Sequence, residues 1–244
     1  MVPTVPAPTI PAVPAPAVLS RTVLVVAAHP DDEVLGCGGT IARHAAGGDV
    51  VHLLFMTNGE DARGNVPAGH VEARRQAART AAALLGAQPP VLLDFPDNRM
   101  DSLALLDVVQ AVERQIAAVT PDVIYTHHGG DLNVDHRVVH QAVLTACRPQ
   151  AWSPVQALYA FAVPSSSEWA GPGIGPAFQP TRFVDISGHQ PAKRAALEAY
   201  AAEMRPFPHS RSLEGVAALD CWTGAMVGMA AAEGFMVLRE LARA

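Results

Sequence analysis

Residues 22–27 (TVLVVA) form an unbroken run of β-branched and small apolar side chains, the pattern of a strand buried on both faces. Similar apolar runs follow at 49–57 (DVVHLLFMT), 91–95 and 122–126 (DVIYT), and again around 155–163 and 182–186. Helix-forming stretches separate them. Residues 40–46 follow a Gly-rich turn, and 70–85 are Ala/Arg-rich and stop at Gly86. Ser102 is a candidate N-cap for a helix running to 119. Residues 134–146, 192–204 and 222–243 complete the predicted helices. Strand alternating with helix predicts βαβ units, hence an α/β fold with a mostly parallel sheet and helices on both faces. Residues 170–180 are rich in Gly and Pro and read as a loop, a candidate flap.

Composition narrows the class. The chain has 244 residues, half of them hydrophobic, enough for one sizeable core over residues 21–244. Residues 1–20 stand apart. They repeat Pro, Ala and Val without a basic start, so they read as a disordered or polyproline-like arm rather than a signal peptide. The formal charge of −6 and the lack of a Lys/Arg cluster argue against nucleic acid as a partner. No apolar run reaches the roughly 18 residues of a membrane span, so no stable membrane insertion is expected. Cys37, Cys147 and Cys221 are odd in number and lack a CxxC spacing, which fits a reducing, cytoplasmic setting better than a disulfide framework. Whether the chain forms a homo-oligomer is left open.

Parallel sheets gather ligands at the carboxyl ends of their strands. Four polar loops occupy those positions here, at 29–33, 58–63, 96–101 and 127–136. The first, His29-Pro30-Asp31-Asp32-Glu33, crowds carboxylates at the end of a buried strand, which is unfavourable unless a cation offsets them. His29 and Asp32 suit a divalent metal such as zinc and leave Asp31 to face the substrate. The plainer alternative is an acidic cluster capping the next helix. In the fourth loop Asp135 and His136 open a helix. The His136 ring is a further metal candidate, and Asp135 is placed to accept its other ring N–H. His140, one turn on, is a weaker candidate ligand. Arg63 and Arg99 offer guanidinium groups for sugar hydroxyls or a phosphate, with surface ion pairing as the alternative. Asp97 suits hydroxyls or a helix cap, and Trp169 suits stacking on a sugar or plain packing. GCGGT lacks the GxGxxG spacing and no phosphate-binding P-loop is present, so nucleotide binding has little support.

The stretches AHPDDEVLGCGGT and NVDHRVVH resemble the LmbE-like, or PIG-L, deacetylase family over residues 22–146. The C-terminal third, with SSSEW, RFVDIS and RPFPHSRS, is similar to one bacterial branch. The resemblance implies a Rossmann-like three-layer αβα fold and one Zn2+ held by His29, Asp32 and His136. It implies Asp31 as general base, Asp135 as a supporting residue, and removal of an acetyl group from an N-acetylglucosamine-type sugar or glycoconjugate. Many members carry His where this chain has Asn133. Asn133 then supplies only a hydrogen bond to the oxyanion, or His128 or His209 supplies the missing acid. His128 is also a candidate substrate contact. Two other readings stay open: hydrolysis of a different amide at the same site, and a non-catalytic ligand-binding module.

Overall fold

The computed structural model describes residues 20–64 and 67–242, so nearly all of the predicted N-terminal arm lies outside it. Five parallel strands form the body of the sheet: β1 (Thr22–Ala27), β2 (Val50–Thr57), β3 (Val91–Phe95), β4 (Val123–His127) and β5 (Ala157–Phe161). β7 (Ala232–Glu240), antiparallel to β5, and β6 (Arg182–Asp185), antiparallel to β7, extend it to seven, in the order β3-β2-β1-β4-β5-β7-β6. The mostly parallel α/β fold is therefore as predicted.

The run at β1 is continuous because both faces are covered. Val23, Val25 and Ala27 pack under α1 (Asp32–Ala46), α2 (His70–Leu84) and α5 (Gln190–Ala199). Leu24 and Val26 pack on the opposite side, under α3 (Leu105–Val119) and α4 (Val134–Ala146). A sixth helix, α6 (Leu213–Ala225), lies against β6 and β7. Chain order reverses at β1, which has β2 on one side and β4 on the other. A crevice opens at such a switch point, beyond the carboxyl ends of the strands. The loops after β1 and β4 meet there.

Helix α1 starts at Asp32, earlier than the pattern suggested, and runs through GCGG with one non-helical residue at Cys37. The glycines let it lie close to the sheet: a Cβ at Gly36 would run into the buried Phe161 ring, and one at Gly39 would stand 2.8 Å from Ile186. Ser102 does not cap α3. It lies in a 3-10 turn (Met100–Ser102), its hydroxyl donates to the Arg99 carbonyl, and Ala104 takes the N-cap position. Residues 222–243 are not one helix. α6 ends at Ala225, Gly228 turns the chain at φ +76, and β7 fills the gap between β5 and β6. The Ala, Met, Leu and Glu side chains there favour helix, but ladder pairing on both edges overrides that preference. Among the described residues, no helix is long and apolar enough to cross a membrane.

Two outcomes follow from the packing. Gly36→Ala forces a methyl against Phe161 and lowers stability by about 1–3 kcal/mol, read by urea denaturation. Cys37 and Cys147 are buried and Cys221 is exposed. Burial pushes the Cys147 thiol up to about 12 and the Cys37 thiol well above its ordinary range. A thiol reagent near neutral pH therefore labels Cys221 alone in the native protein and all three cysteines after unfolding.

Candidate metal centre

The loops after β1 and β4 bring three donor atoms together. His29 Nδ1 lies 3.0 Å from Asp32 Oδ2, His136 Nε2 lies 3.3 Å from the same oxygen, and the two nitrogens are 3.4 Å apart. Zinc bonds of about 2.0–2.1 Å in tetrahedral geometry require donor separations of roughly 3.3 Å. The triangle therefore has the dimensions of three corners of such a site, with the fourth left for water or substrate. All three side chains are buried. Asp32 Oδ2 also accepts from the His29 backbone N–H at 2.8 Å, which locks the HPDD turn.

Each imidazole is held from behind by carboxylate. His136 Nδ1 stands 3.1 Å from Asp131 Oδ1. Asp131 is itself fixed by the Asn133 backbone N–H and by the hydroxyls of Ser166 and Ser167. His29 Nε2 lies 3.1 Å from both Asp135 Oδ2 and Asp97 Oδ1. Asp135 accepts from the backbone N–H groups of Asn98 and Met100, and Asp97 from that of Ala62. Such carboxylate–histidine pairs orient a ligand ring and raise its basicity. Burial alone pulls His136 down, but Asp32 and Asp131 outweigh it and hold the ring at about 9. Burial pushes Asp32 up, but His136 and His29 outweigh it and hold the carboxylate well below its usual range. The surroundings thus favour positive charge at the triangle, as a cation site requires.

His127 plays a different part. Its Nε2 accepts from the Ala28 backbone N–H at 2.8 Å, tying the end of β1 to β4. Its ring stacks on His136 with centroids 3.9 Å apart. Burial, then the neighbouring His136, keeps it neutral.

Asp31 sits beside the triangle, at φ 120, a strained backbone position for a residue with a side chain. Its carboxylate is buried between Arg74 Nη2 at 3.3 Å and Arg211 Nη1 at 3.1 Å. Burial pushes it up, and Arg74 and Arg211 recover only part of the shift. Arg74 is fixed by the Pro30 carbonyl, Glu60 and Glu203, and Arg211 Nε donates to Ser165 Oγ. A cavity of about 230 Å³ opens onto His29, Asp31, Asp32, Asn133, His136 and Arg211.

The other predicted residues divide. Asp135 holds His29 rather than its neighbour His136, and Asp131 takes the role the sequence suggested for Asp135. Asp97 lines the cavity but is engaged with His29. Asn133 caps α4, accepting from the Asp135 N–H, while its amide donates to Asn98. His128 donates to the Pro176 carbonyl and packs on Phe178, away from the triangle. His140 donates to the His127 carbonyl. His209 accepts from the Arg211 backbone N–H and meets half-exposed Trp169 edge-on at 5.5 Å. Arg99 is exposed and does not line the cavity. Arg63 belongs to a 3-10 turn, Asp61–Arg63, and its side chain lies outside the described residues. Sequence reasoning missed Asp131, Ser166, Ser167, Arg74 and Arg211. Asp131 lay inside the polar loop already singled out, and Ser166, Ser167 and Arg211 inside the quoted C-terminal stretches. Arg74 carried no signal in an Ala/Arg-rich helix.

The site can be set beside known proteins. Residues 24–147 match the PIG-L family model, described as GlcNAc-PI de-N-acetylase. The uncharacterized deacetylase YaiS of Escherichia coli is 37% identical over 133 residues, which cover 52% of this chain and 69% of that protein. The 1D-myo-inositol 2-acetamido-2-deoxy-alpha-D-glucopyranoside deacetylase of Mycobacteroides abscessus is 31% identical over 237 residues, 76% of this chain and 82% of that one. The solved structure of GalB, a 4-carboxy-2-hydroxymuconate hydratase from Pseudomonas putida, superposes with a TM-score of 0.73 over 92% of this chain and 98% of its own, at 24% identity, and so shares the fold. With the family match spanning the loops that build the triangle, this chain belongs to the PIG-L, or LmbE-like, family.

Proposed function

We propose that the protein is a zinc-dependent amidohydrolase that removes an N-acetyl group from an N-acetylglucosamine-type sugar or glycoconjugate. The observation that carries this reading is the donor triangle of His29, Asp32 and His136 with the Asp31 carboxylate beside it in one cavity. His29, Asp32 and His136 would hold the metal. A bound zinc ion supplies Lewis acidity toward the amide carbonyl and makes the proton of a nearby water easier to remove.

The chain's own residues account for the rest. Asp31 takes the proton of the attacking water as its oxygen adds to the amide carbonyl. Burial raises the proton affinity of its carboxylate above that of an exposed one, and Arg74 and Arg211 recover part of that shift. Asp31 then returns that proton to the leaving nitrogen, so acetate and a free amine are the products. Negative charge on the acyl oxygen falls to donors that line the cavity. Asn133 Nδ2 has one N–H beyond the one given to Asn98, and the Arg211 guanidinium stands alongside. Neither His128 nor His209 lines the cavity, so Arg211 is the better replacement for the histidine that many relatives carry.

The deciding experiment measures bound zinc and acetate release on a panel of N-acetylglucosamine derivatives, free, inositol-linked, lipid-linked and nucleotide-linked, with His136→Ala as control. Acetate release that disappears in the variant together with zinc supports the reading. Zinc bound without acetate release from any member points instead to another amide. No zinc after reconstitution would favour a binding module. Two variants test the roles. Asp31→Asn keeps zinc and lowers kcat by about 100- to 10,000-fold, and near-normal turnover would remove Asp31 as the base. Asp131→Asn weakens zinc affinity by about 10- to 100-fold in metal-buffered titration, with most of kcat recovered at saturating zinc.

A further inference from the structure

Asp31 stands one residue before α1, at its N-cap position. A short acid there ordinarily turns its carboxylate onto the free N–H groups of the first helical turn. Asp31 makes no such bond. Its carboxylate lines the metal cavity instead and meets Arg74 and Arg211. The backbone makes the difference. An ordinary N-cap is extended, whereas Asp31 lies at φ 120 and ψ −28, which sends its side chain in another direction. Such a conformation persists only where the surroundings impose it.

Here the peptide units on either side of the Asp31 Cα are both held. The Asp31 carbonyl accepts from the N–H groups of Val34 and Leu35, which fixes the unit that follows. The Pro30–Asp31 unit before it is held at each of its polar atoms. Its carbonyl accepts from Arg74 Nε at 2.8 Å, and its N–H donates to Glu33 Oε2 at 3.0 Å. The other oxygen of Glu33 accepts from the Tyr200 hydroxyl at 2.9 Å, and the Arg74 guanidinium lies over the Tyr200 ring, 5.9 Å from its centre. Glu33, Tyr200 and Arg74 thus close a ring of contacts around one peptide unit, from α1, the C-terminal end of α5 and α2. Glu33 and Tyr200 are buried, and neither lines the metal cavity. A plainer role for Glu33 is that of an acid favoured by the α1 dipole. The dipole asks for charge at the helix start, but it does not ask for a tyrosine hydroxyl from across the fold or for a bond back to the N-cap N–H.

We propose that Glu33 and Tyr200 are positioning residues for Asp31, holding the Pro30–Asp31 peptide so that the carboxylate faces the cavity rather than the end of α1. The inference rests on the deacetylase reading for its kinetic consequence, while the orientation of Asp31 is a matter of structure alone. Without the clamp the Asp31 N–H loses its acceptor, and the carboxylate is free to swing back onto the first turn of α1. A displacement of about 1 Å at a reacting group costs on the order of 100-fold in rate.

The test uses the zinc-loaded full chain and the N-acetylglucosamine derivative from which it releases acetate fastest. Glu33→Leu roughly keeps the side-chain volume and removes both acceptor oxygens. It should lower kcat about 100-fold with KM and bound zinc as in the wild type, because the base acts only in the transition state. Glu33→Gln keeps an oxygen for the Asp31 N–H and an amide N–H for the Tyr200 oxygen, and should restore most of kcat. Tyr200→Phe removes only the outer bond and should give a smaller loss of the same kind, and it carries the test if Glu33→Leu does not fold. In an Asp31→Asn background either variant should bring no further loss, since a group that acts through the base has nothing left to position. An equal loss in both backgrounds, loss of bound zinc, or wild-type turnover in Glu33→Leu and Tyr200→Phe each overturns the proposal. If the wild type releases acetate from no sugar, the deacetylase reading falls, and crystal structures of the two variants decide the clamp by themselves. An Asp31 carboxylate turned onto the N–H groups of α1 upholds it, and an unmoved carboxylate with φ still near 120 removes it.

Discussion

The structure is organised around a concentration of buried negative charge. Asp31, Asp32, Asp97, Asp131 and Asp135 are all nearly or wholly excluded from solvent, and they surround two imidazoles. Carboxylates so close in a poorly solvated place resist joint ionisation unless each finds a cation or a set of hydrogen-bond donors. Here they do. Asp31 has two guanidinium groups, Asp97 and Asp135 have backbone N–H groups and the back of His29, and Asp131 has two hydroxyls and the back of His136. What remains is Asp32 between the two rings, where a divalent ion would complete the balance.

Sheet topology makes that concentration attainable. β1 and β4 are far apart in sequence but adjacent in space, so the HPDD turn and the DH of α4 meet at the switch point. The loop after β3 adds Asp97 and the backbone donors that hold Asp135. The C-terminal third is not an accessory. It delivers Ser166 and Ser167 to Asp131 and Arg211 to Asp31, so the C-terminal third fixes one candidate ligand and the candidate base. The Pseudomonas putida hydratase shows that the same fold also serves a protein named for water addition, so chemistry on this scaffold turns on side chains and pocket shape rather than on the sheet.

These levels were unequally legible in the sequence. Strands β1, β2 and β4 announced themselves because both of their faces are buried, which forces an uninterrupted apolar run. β7 did not, because its residues have helical preferences and only the free edges of β5 and β6 make it a strand. The triangle could be expected from two short motifs, since each places its donors through local turn geometry. The exchange of roles between Asp131 and Asp135 could not. It depends on which way two rings face after β1 and β4 come together, and adjacency in sequence wrongly favoured Asp135 for His136. Arg211 was hidden for a similar reason: a lone arginine in a polar loop says nothing of the carboxylate it will meet across the fold.

Asn133 stands where the family resemblance implies a histidine in many members. Its Oδ1 accepts from the Asp135 N–H, so its first duty is to cap α4 and thereby to set Asp135 against His29. Asn is among the best residues for that duty, because its short side chain reaches the first free N–H groups of the helix. A ring at this position satisfies the cap less readily but brings a proton that an amide lacks. The lost proton source matters little if Asp31 carries the proton from water to the leaving nitrogen. The Arg211 guanidinium brings a positive charge to the rim of the same cavity, 3.1 Å from Asp31.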